Sequence, residues 1–340
     1  MSRISPAITA LASGALPDRD AVREAFAALM DGEADEAEIG AFLVGLAALG
    51  ETPDILAEGA EAMRARMTRV VAPEGAVDTC GTGGDAKGTW NISTAAAIVA
   101  AGAGAVVAKH GNRAASSKSG SAEALEALGV DLAAPSERVE RCFSEAGVGF
   151  LFAPAHHGAV RHVGPARKTL KVRTVFNLLG PLSNPAGAKR QLLGVFADAW
   201  LEPMAEALRA LGAERAWIVH GADGLDELTT TGDSTVCALE PDGSIRRFTV
   251  TPEDARLARA SLDDLSGGEP AENARAIREL LDGAPGPYRD IVVLNAAAAL
   301  ILSDKAGDLA EGARLAEAAI DDGRAATALR LLADISRGER

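Results

Sequence analysis

Apolar residues recur with helical spacing in the first part of the chain. Residues 18–69 read as several short amphipathic helices, in which Asp18 and Asp35 are placed to cap two N-termini. Thr52-Pro53 opens a third helix, with proline at its first helical position. No strand pattern interrupts these segments, so this part of the chain is predicted to be helical throughout.

After Pro73 the pattern changes to short apolar or β-branched runs that alternate with helical segments. Runs of this kind predict buried strands, and they occupy residues 105–108, 216–219 and 290–294. Strands that alternate with helices form parallel sheets with helices packed on both faces. The pattern therefore predicts an α/β fold with a mostly parallel central sheet.

Composition and charge narrow the classes of function. The chain has 340 residues, 48% of them hydrophobic, and carries 48 Asp and Glu against 34 Lys and Arg, for a net charge of −14. This balance opposes binding to nucleic acid or to an anionic membrane. The longest apolar run, 95–108, is too short to span a bilayer, and the N-terminus lacks the layout of a signal peptide. Three cysteines without metal-site spacing fit a reduced chain, so we expect a cytoplasmic protein.

Against this acidity, residues 86–122 contain no carboxylate. The glycine-rich loops 81–85 and 109–113 lie in or beside this stretch, joined by Asn91-Ile92-Ser93-Thr94 and an alanine-rich helix. Glycines let backbone N–H groups approach an anion, and hydroxyls at a helix start add donors. The stretch predicts a phosphate site. Its second wall is assigned to Lys109, Arg113, Lys118, Ser116 and Ser117, and Asp85 is assigned to loop hydrogen bonding, a metal or a ribose hydroxyl.

Other glycine motifs fit this region less well. The spacing Gly81-x-Gly83-x-x-Ala86 satisfies the dinucleotide fingerprint, but the acidic ribose-binding residue expected about 20 positions later is absent. A P-loop is excluded because the order is Lys87-Gly88-Thr89. One glycine-rich turn alone would most simply be structural, whereas two in one acid-free stretch favour an anion site.

Residues 146–197 form a second carboxylate-free stretch. Arginine grips a planar carboxylate with two parallel hydrogen bonds, so an organic acid is a suitable second substrate. Lys168 and Lys171 are expected to be solvated, and the His156-His157 pair to pack or to contact substrate rather than metal. Residues 176–185 are expected to form a loop that shapes the pocket. The cations of the stretch are Arg161, Arg167, Lys168, Lys171, Arg173, Lys189 and Arg190, joined by His156, His157 and His162.

An acidic pair, Asp226-Glu227, follows the predicted strand 216–219. Mg²⁺ prefers one or two carboxylates together with phosphate oxygens and waters. Adjacent acids are common on protein surfaces, but opposite a phosphate site this pair predicts a magnesium site.

Taken together, these motifs resemble the anthranilate phosphoribosyltransferase family over almost the full length of the chain. After His156-His157 the family often has proline, and here Gly158 follows, which bears on the shape of the anthranilate channel. The resemblance is carried by residues 78–85, 91–94, 109–113 with Ser116 and Ser117, Arg167 within 163–167, 177–185 and 225–227.

The resemblance implies an activity and an organisation. The activity is transfer of the phosphoribosyl group from 5-phosphoribosyl 1-diphosphate to the amine of anthranilate, giving N-(5-phosphoribosyl)anthranilate and pyrophosphate, the second step of tryptophan biosynthesis from chorismate. The fold is of the nucleoside phosphorylase/phosphoribosyltransferase type. It has a helical domain over residues 1–72, joined by a helical segment around 160–185, and an α/β domain over 73–340 that binds phosphoribosyl pyrophosphate. The implied assembly is a homodimer meeting through the helical domains, with two Mg²⁺ ions per subunit.

The resemblance also assigns residues to each ligand, and it assigns no general base. The residues expected to bind Mg²⁺ are Ser93, Asp226 and Glu227. Those expected to bind anthranilate are Gly81, Asn112, His157 and Arg167. Alignment of the two substrates and the bound metal are expected to account for the rate enhancement. The residues assigned to phosphoribosyl pyrophosphate are Gly81, Gly84, Asp85, Thr89, Asn91, Ile92, Ser93, Thr94, Lys109, His110, Gly111, Asn112, Arg113, Ala114, Ala115, Ser116, Ser117 and Ser121.

Two rival functions share part of this pattern. A pyrimidine-nucleoside phosphorylase shares the architecture, but it should carry a Lys-His-Ser segment where this chain has Lys109-His110-Gly111-Asn112-Arg113. A catalytically silent relative that binds nucleic acid should have a basic surface, which the net charge of −14 opposes.

Overall fold

The computed structural model describes residues 2–114 and 118–340, and its centre is a seven-stranded sheet. The strand order is β3-β2-β1-β4-β5-β6-β7. Neighbours from β3 to β5 pair in parallel, whereas β6 and β7 are antiparallel additions. The predicted α/β class with a mostly parallel sheet is confirmed. The strands are β1 (Val77–Gly81), β2 (Val107–Gly111), β3 (Val148–Phe152), β4 (Arg190–Gly194), β5 (Arg215–Gly221), β6 (Ser234–Leu239) and β7 (Ile245–Val250).

Helices surround the sheet, and none in the described ranges is long and apolar enough to cross a membrane. They are α1 (Ser5–Ala12), α2 (Arg19–Asp31), α3 (Glu36–Leu49), α4 (Pro53–Arg64), α5 (Ile92–Gly102), α6 (Ser121–Ala127), α7 (Ser136–Glu145), α8 (Ala153–His156), α9 (Gly164–Leu170), α10 (Phe176–Leu179), α11 (Leu201–Ala210), α12 (Pro270–Leu281), α13 (Pro287–Leu302), α14 (Leu309–Asp321) and α15 (Arg324–Arg337).

The N-terminal helices begin where the capping signals predict. The Asp18 carboxylate accepts a hydrogen bond from the Ala21 N–H at the start of α2. Asp35 and Glu38 form a reciprocal capping box on α3. The Thr52 hydroxyl accepts from the first turn of α4. The helical prediction for this part of the chain is confirmed.

The strand predictions had mixed outcomes. Residues 216–219 lie inside β5, and the run 105–108 overlaps β2, which begins only at Val107. The prediction for residues 290–294 was wrong, because they belong to the 16-residue helix α13. This helix is buried on every side from Ile291 to Leu302, so its β-branched residues show no amphipathic period. The segment 176–185 begins with the short helix α10 before it becomes a turn.

The strand order creates a crevice beside β1. Chain crossovers lead from β1 to β2 and β3 on one side, while β4 and β5 lie on the other. Ligands bind to open parallel sheets at such switch points, outside the carboxyl ends of the strands. Here those ends are Gly81, Gly111, Gly194 and Gly221, with Gly81 paired directly to Gly194.

Alternate strand residues pack into different cores on the two faces of the sheet. Trp217 and Val219 of β5 face the cluster built with α5, α13 and α15. Ile218, between them, faces the cluster that contains α11 and the N-terminal helices. Phe176 and Leu179, from the region between β3 and β4, join this second cluster. The N-terminal helices therefore share a continuous apolar core with the sheet.

Candidate active site

Two carboxylates from the loop after β5 lie over residues 81–94, the segment termed here the phosphate loop. The Asp226 carboxylate accepts from the Gly83 N–H at 2.7 Å, and Glu227 accepts from the Ser93 N–H at 3.1 Å. Residues 86–122 lack acids in the sequence, but acids from a distant part of the chain lie against this region in the fold. Two of the N–H donors expected to face a bound anion are engaged by carboxylates from a distant part of the chain.

Two glycines make this approach possible. A Cβ atom added to Gly81 would collide with the Asp226 carboxylate, and one added to Gly194 would collide with the Asp226 backbone. These residues end the paired strands β1 and β4. The acidic loop can thus pack directly onto the switch point only where both strands end without side chains.

In the described ranges, the acidic cluster of Asp85, Asp226 and Glu227 has no ion-pair partner within 4.0 Å, and its members disfavour one another's ionised forms. Burial raises the pKa of Asp226, and the charge of Asp85 raises it further. Burial also raises the pKa of Glu227, together with the charge of Asp226, while Lys109 acts in the opposite direction. Within the described ranges no Lys or Arg nitrogen lies within 4.0 Å of these three carboxylates. A bound cation would relieve the repulsion.

The donor set fits Mg²⁺. Among the described residues no group of three or more His, Cys, Asp or Glu side chains is arranged to hold a metal. Mg²⁺ does not need such a cage, because it takes one or two carboxylates and completes its shell with phosphate oxygens and waters. Asp226 and Glu227 supply the carboxylates beside the phosphate loop, and Ser93, whose N–H binds Glu227, adds a hydroxyl.

Polar side chains hold the loop that follows β5 and carries Asp226 and Glu227. Asn295 of α13 is fully buried, and its amide both accepts from the Leu228 N–H at 3.1 Å and donates to the Leu228 carbonyl at 2.8 Å. Asp223 accepts hydrogen bonds from the hydroxyls of Thr229 and Thr231. Sequence reasoning missed Asn295, and the signal that would have found it is a single polar residue within the apolar run 291–302 of α13.

Within the phosphate loop, the assigned residues differ in accessibility. Asp85 accepts from the Lys87 N–H at 3.2 Å, a hydrogen bond within the loop. Gly84, Thr89 and Asn91 are also partly exposed. Ile92 and Thr94 are only 2% and 1% exposed, so neither presents its side chain to a ligand.

The second wall is more heavily partnered than its sequence suggests. Lys109 is 3% exposed, and its ammonium donates to the Thr79 carbonyl and the Ser93 hydroxyl. Burial lowers the pKa of this lysine. Arg113 is exposed and pairs with Glu126 at 3.1 Å.

The loop around Arg113 is also held by hydrogen bonds. Glu123 accepts from the N–H groups of Ala114 and Gly120, and the Ser121 hydroxyl donates to the Asn112 carbonyl. Gly111 ends β2 beside Ser121. The assignments to Ala115, Ser116 and Ser117 lie outside the described residues.

Two histidines, one from each carboxylate-free stretch, meet beneath the crevice. The ring centres of His110 and His157 are 5.1 Å apart. Burial lowers the pKa of His110 to about 3 and that of His157 to about 4, so both are neutral at pH 7. His156 points elsewhere, with its Nδ1 2.9 Å from the Thr68 carbonyl. The histidine pair therefore does not converge as a metal site would require.

Arg167 and Arg173 differ in their partners. Arg167 is half-buried over the Phe176 ring at 5.4 Å, and within 2–114 and 118–340 its guanidinium has no hydrogen-bond acceptor. Burial lowers the pKa of Arg167. Arg173 lies 3.9 Å from the Phe196 ring centre and donates to the Gly84 carbonyl, so the second stretch reaches the phosphate loop.

Comparison with known proteins identifies the family of this chain. The family model described as "Glycosyl transferase family, a/b domain" matches residues 73–326, and "Glycosyl transferase family, helical bundle domain" matches residues 5–67. A curated relative, anthranilate phosphoribosyltransferase of Maricaulis maris (strain MCS10), is 63% identical over 339 residues, which cover 100% of each chain. This chain belongs to the anthranilate phosphoribosyltransferase family.

Solved structures of the family have the same fold. The anthranilate phosphoribosyltransferase of Thermus thermophilus is 47% identical, with a TM-score of 0.92 over 99% of this chain and 100% of that one. The enzyme of Saccharomyces cerevisiae in complex with PRPP and Mg is 29% identical, with a TM-score of 0.90 over 98% of both chains.

Proposed function

We propose that this chain transfers the phosphoribosyl group of 5-phosphoribosyl 1-diphosphate to the amine of anthranilate, releasing pyrophosphate. The reaction is that of an anthranilate phosphoribosyltransferase, the second step of tryptophan biosynthesis from chorismate. The observation that carries it is the position of Asp226 and Glu227 against the backbone of Gly83 and Ser93. A carboxylate pair suited to a cation meets a helix start suited to phosphate, in a chain whose full-length relatives have this name.

The diphosphate end of the donor is assigned to the phosphate loop. The start of α5 adds the favourable end of a helix dipole, which contributes about 0.3–1 kcal/mol toward an exposed anion. This half is completed by Gly81, Gly84, Thr89, Asn91 and residues 92–94, as the family resemblance implies. Lys109, residues 110–114 and Ser121 are assigned to the 5-phosphate, as the family resemblance implies.

Magnesium is assigned to Asp226, Glu227 and the Ser93 hydroxyl, and two ions per subunit are proposed. Bound Mg²⁺ supplies positive charge that neutralises the leaving pyrophosphate. The protein's part is to hold the carboxylates: Gly83 and Ser93 orient them from one side, and Asn295 fixes the backbone from the other.

Anthranilate is assigned to the second carboxylate-free stretch. Arg167 is a half-buried guanidinium without a protein acceptor in the described ranges, so the carboxylate of anthranilate would satisfy it. His157, kept neutral by burial, is the histidine that the family resemblance assigns to the same substrate. Gly81 and Asn112 complete the contacts, as the family resemblance implies.

The reaction then depends on how the protein aligns the amine of anthranilate with C1 of the ribose. The amine nitrogen forms a bond to C1 of the ribose, the bond from C1 to the pyrophosphate oxygen breaks with its electron pair on oxygen, and the nitrogen loses a proton to solvent. His110 and His157 are neutral but enclosed, and no general base is assigned. An aromatic amine held against a carbon that develops positive charge needs alignment more than deprotonation.

A homodimer is proposed on the apolar surface of α3. From Ile39 to Leu49 this helix carries no charged residue. Its Ala41, Val44 and Ala48 are exposed at helical spacing, with Val44 44% exposed. A second copy would cover this stripe. We also propose a division at residues 72/73 between a helical and an α/β domain, joined by the segment 160–185, and a cytoplasmic location.

The test is a coupled assay on purified protein with anthranilate, phosphoribosyl pyrophosphate and Mg²⁺. Loss of anthranilate fluorescence should match pyrophosphate release mole for mole and should stop when EDTA removes the metal. Light scattering on the same sample reports the dimer, and Val44→Glu should halve the mass. No product from the folded wild-type chain, or metal-independent product, would contradict the proposed reaction.

A further inference from the structure

Residues 265–273 and Tyr288 form a second layer behind the phosphate loop, and no motif in the sequence marks them. The backbone of this segment runs antiparallel to residues 88–90. The Gly267 N–H donates to the Gly88 carbonyl at 2.8 Å, and the Trp90 N–H donates to the Leu265 carbonyl at 3.1 Å. A bridge joins Thr89 to Ser266 between these bonds. The entrance to α5 is thereby extended into a short backbone ladder.

Gly267 is required for this contact. A Cβ atom at Gly267 would lie 2.6 Å from the Thr89 carbonyl carbon and 2.8 Å from the Trp90 nitrogen. Both are backbone atoms, so no side-chain rotation could relieve the clash. The segment packs this closely on the phosphate loop only because residue 267 has no side chain.

Asn273, in the first turn of α12, links this segment to Asn91. Its side chain is 1% exposed, its Oδ1 accepts from the Gly268 N–H at 2.8 Å, and its Nδ2 donates to Asn91 Oδ1 at 2.8 Å. The Gly268 N–H needs an acceptor, so the amide of Asn273 can be satisfied in one orientation only. Asn273 must therefore present its nitrogen to Asn91.

The orientation of Asn91 follows from that of Asn273. Asn91 Oδ1 accepts from both Asn273 and the Ser119 hydroxyl, and its Nδ2 donates to the Ser119 carbonyl at 3.3 Å. An amide nitrogen carries two hydrogens, and within the described ranges one has an acceptor. Tyr288 adds a weaker contact, from its hydroxyl to the Asn91 carbonyl at 3.4 Å. The network keeps the oxygen of Asn91 turned inward and leaves a donor for an anion.

We propose that Asn273 is a positioning residue for the diphosphate of phosphoribosyl pyrophosphate, acting by holding the Asn91 amide with its N–H toward that ligand. This inference rests on the proposed function, which assigns Asn91 to the donor substrate. Asn273 does not touch the substrate, and it acts on one substrate rather than on both. Anthranilate, assigned to the opposite wall at Arg167, should be unaffected.

The test compares Asn273→Asp with a control on the same helix. Aspartate still accepts from the Gly268 N–H but presents an oxygen to Asn91, so the Asn91 amide turns over and faces its own oxygen toward the diphosphate. Calorimetric titration with phosphoribosyl pyrophosphate and Mg²⁺ should show an affinity about tenfold weaker than wild type, the cost of one lost hydrogen bond plus one repulsive contact. The KM for phosphoribosyl pyrophosphate should rise by the same factor, and the KM for anthranilate should change less than twofold.

The control is Ile277→Ala, one turn along α12 and fully buried, which removes apolar packing but no hydrogen bond to the loop. It should lower Tm and leave both KM values unchanged. Gly267→Ala is a second variant that displaces the loop through its backbone, and it should reproduce the selective loss if Asn273→Asp does not fold. Tyr288→Phe should produce the same pattern at about twofold.

The outcomes separate two failures. A wild-type chain that does not bind phosphoribosyl pyrophosphate overturns the proposed function, and this inference with it. Wild-type binding and turnover, together with unchanged donor affinity in Asn273→Asp, overturn the positioning role alone. Equal increases in both KM values, matched by Ile277→Ala, would make Asn273 merely structural.

Discussion

The two carboxylate-free stretches, residues 86–122 and 146–197, read alike in sequence and differ in the folded chain. The first receives acids from elsewhere: Glu227 binds the Ser93 backbone, and Asp226 binds the adjoining glycine loop. The second meets aromatic rings and carbonyls near the crevice, at Arg167 and Arg173. A run without acids therefore has two possible meanings. It can be a backbone surface that binds carboxylates from a distant part of the chain, as at Ser93, or it can contain a half-buried cation without a protein acceptor in the described ranges, as at Arg167.

The largest expected effect comes from the first stretch. Asp226→Asn should lower kcat by about 10²–10³-fold, because charge on the leaving group loses several kcal/mol of stabilisation. The same change should raise the Tm of the metal-free protein by about 1–3 °C, because burial and Asp85 disfavour the ionised form of Asp226. Steady-state kinetics across a magnesium titration, with calorimetric melting, measures both.

Exposed Glu214, which pairs with Lys189 away from the crevice, gives the control Glu214→Gln. It should change neither quantity. An unchanged magnesium titration and unchanged turnover in Asp226→Asn would remove the metal assignment and leave the two stretches without their functional contrast.

Arg167→Ala tests the second stretch. We expect the KM for anthranilate to rise about 10–100-fold, because a charge-assisted pair of hydrogen bonds to the carboxylate is lost, while the KM for phosphoribosyl pyrophosphate changes little. Initial rates with each substrate varied in turn measure this. Lys168→Ala, an exposed neighbour on α9, is the matched control. Equal increases in both constants for Arg167→Ala would indicate a structural arginine.

His157 of the second stretch and the two acids that bind the first stretch should affect the pH dependence of stability in opposite directions. The pKa of His157 falls from 6.5 to about 4 on folding, so the unfolded chain binds more protons between these values, and this histidine removes stability as pH falls. Asp226 and Glu227 have raised pKa values, so they add stability as pH falls through the same range.

His157→Gln should recover on the order of 1–2 kcal/mol of the stability lost between pH 7 and pH 5, and Asp226→Asn should steepen that loss. Urea unfolding of the metal-free variants at the two pH values measures the difference. Identical pH slopes for wild type and His157→Gln would contradict a neutral buried histidine at this position.

The smallest effect is expected where the stretches touch. Arg173→Ala removes the bond to the Gly84 carbonyl and the contact with Phe196. Because Arg173 is exposed, we expect only about a threefold rise in both KM values. Arg161→Ala, also exposed, serves as the control. A change confined to one substrate would show that Arg173 belongs to one side of the crevice rather than to their junction.

The sequence predicted the elements whose signals are local. Capping residues such as Asp18 and Asp35 identify helix starts because the hydrogen bonds they make lie within three residues. The run 290–294 misled because its neighbours in space, not its own period, make it a buried helix. Asn273 and Asn295 were missed for a related reason: an asparagine within a helix does not show which distant groups its amide will contact.

By itself, then, the sequence determined the α/β class, the helical N-terminal part and the family, since these depend on periodicity, turn chemistry and residue order. Only the tertiary structure decided which groups meet. It brought Asp226 over Gly81, set His110 against His157, and enclosed Lys109 beneath the loop. Charge in a sequence is counted along the chain, whereas electrostatic and hydrogen-bond energies depend on distance and burial in space, and only folding specifies those.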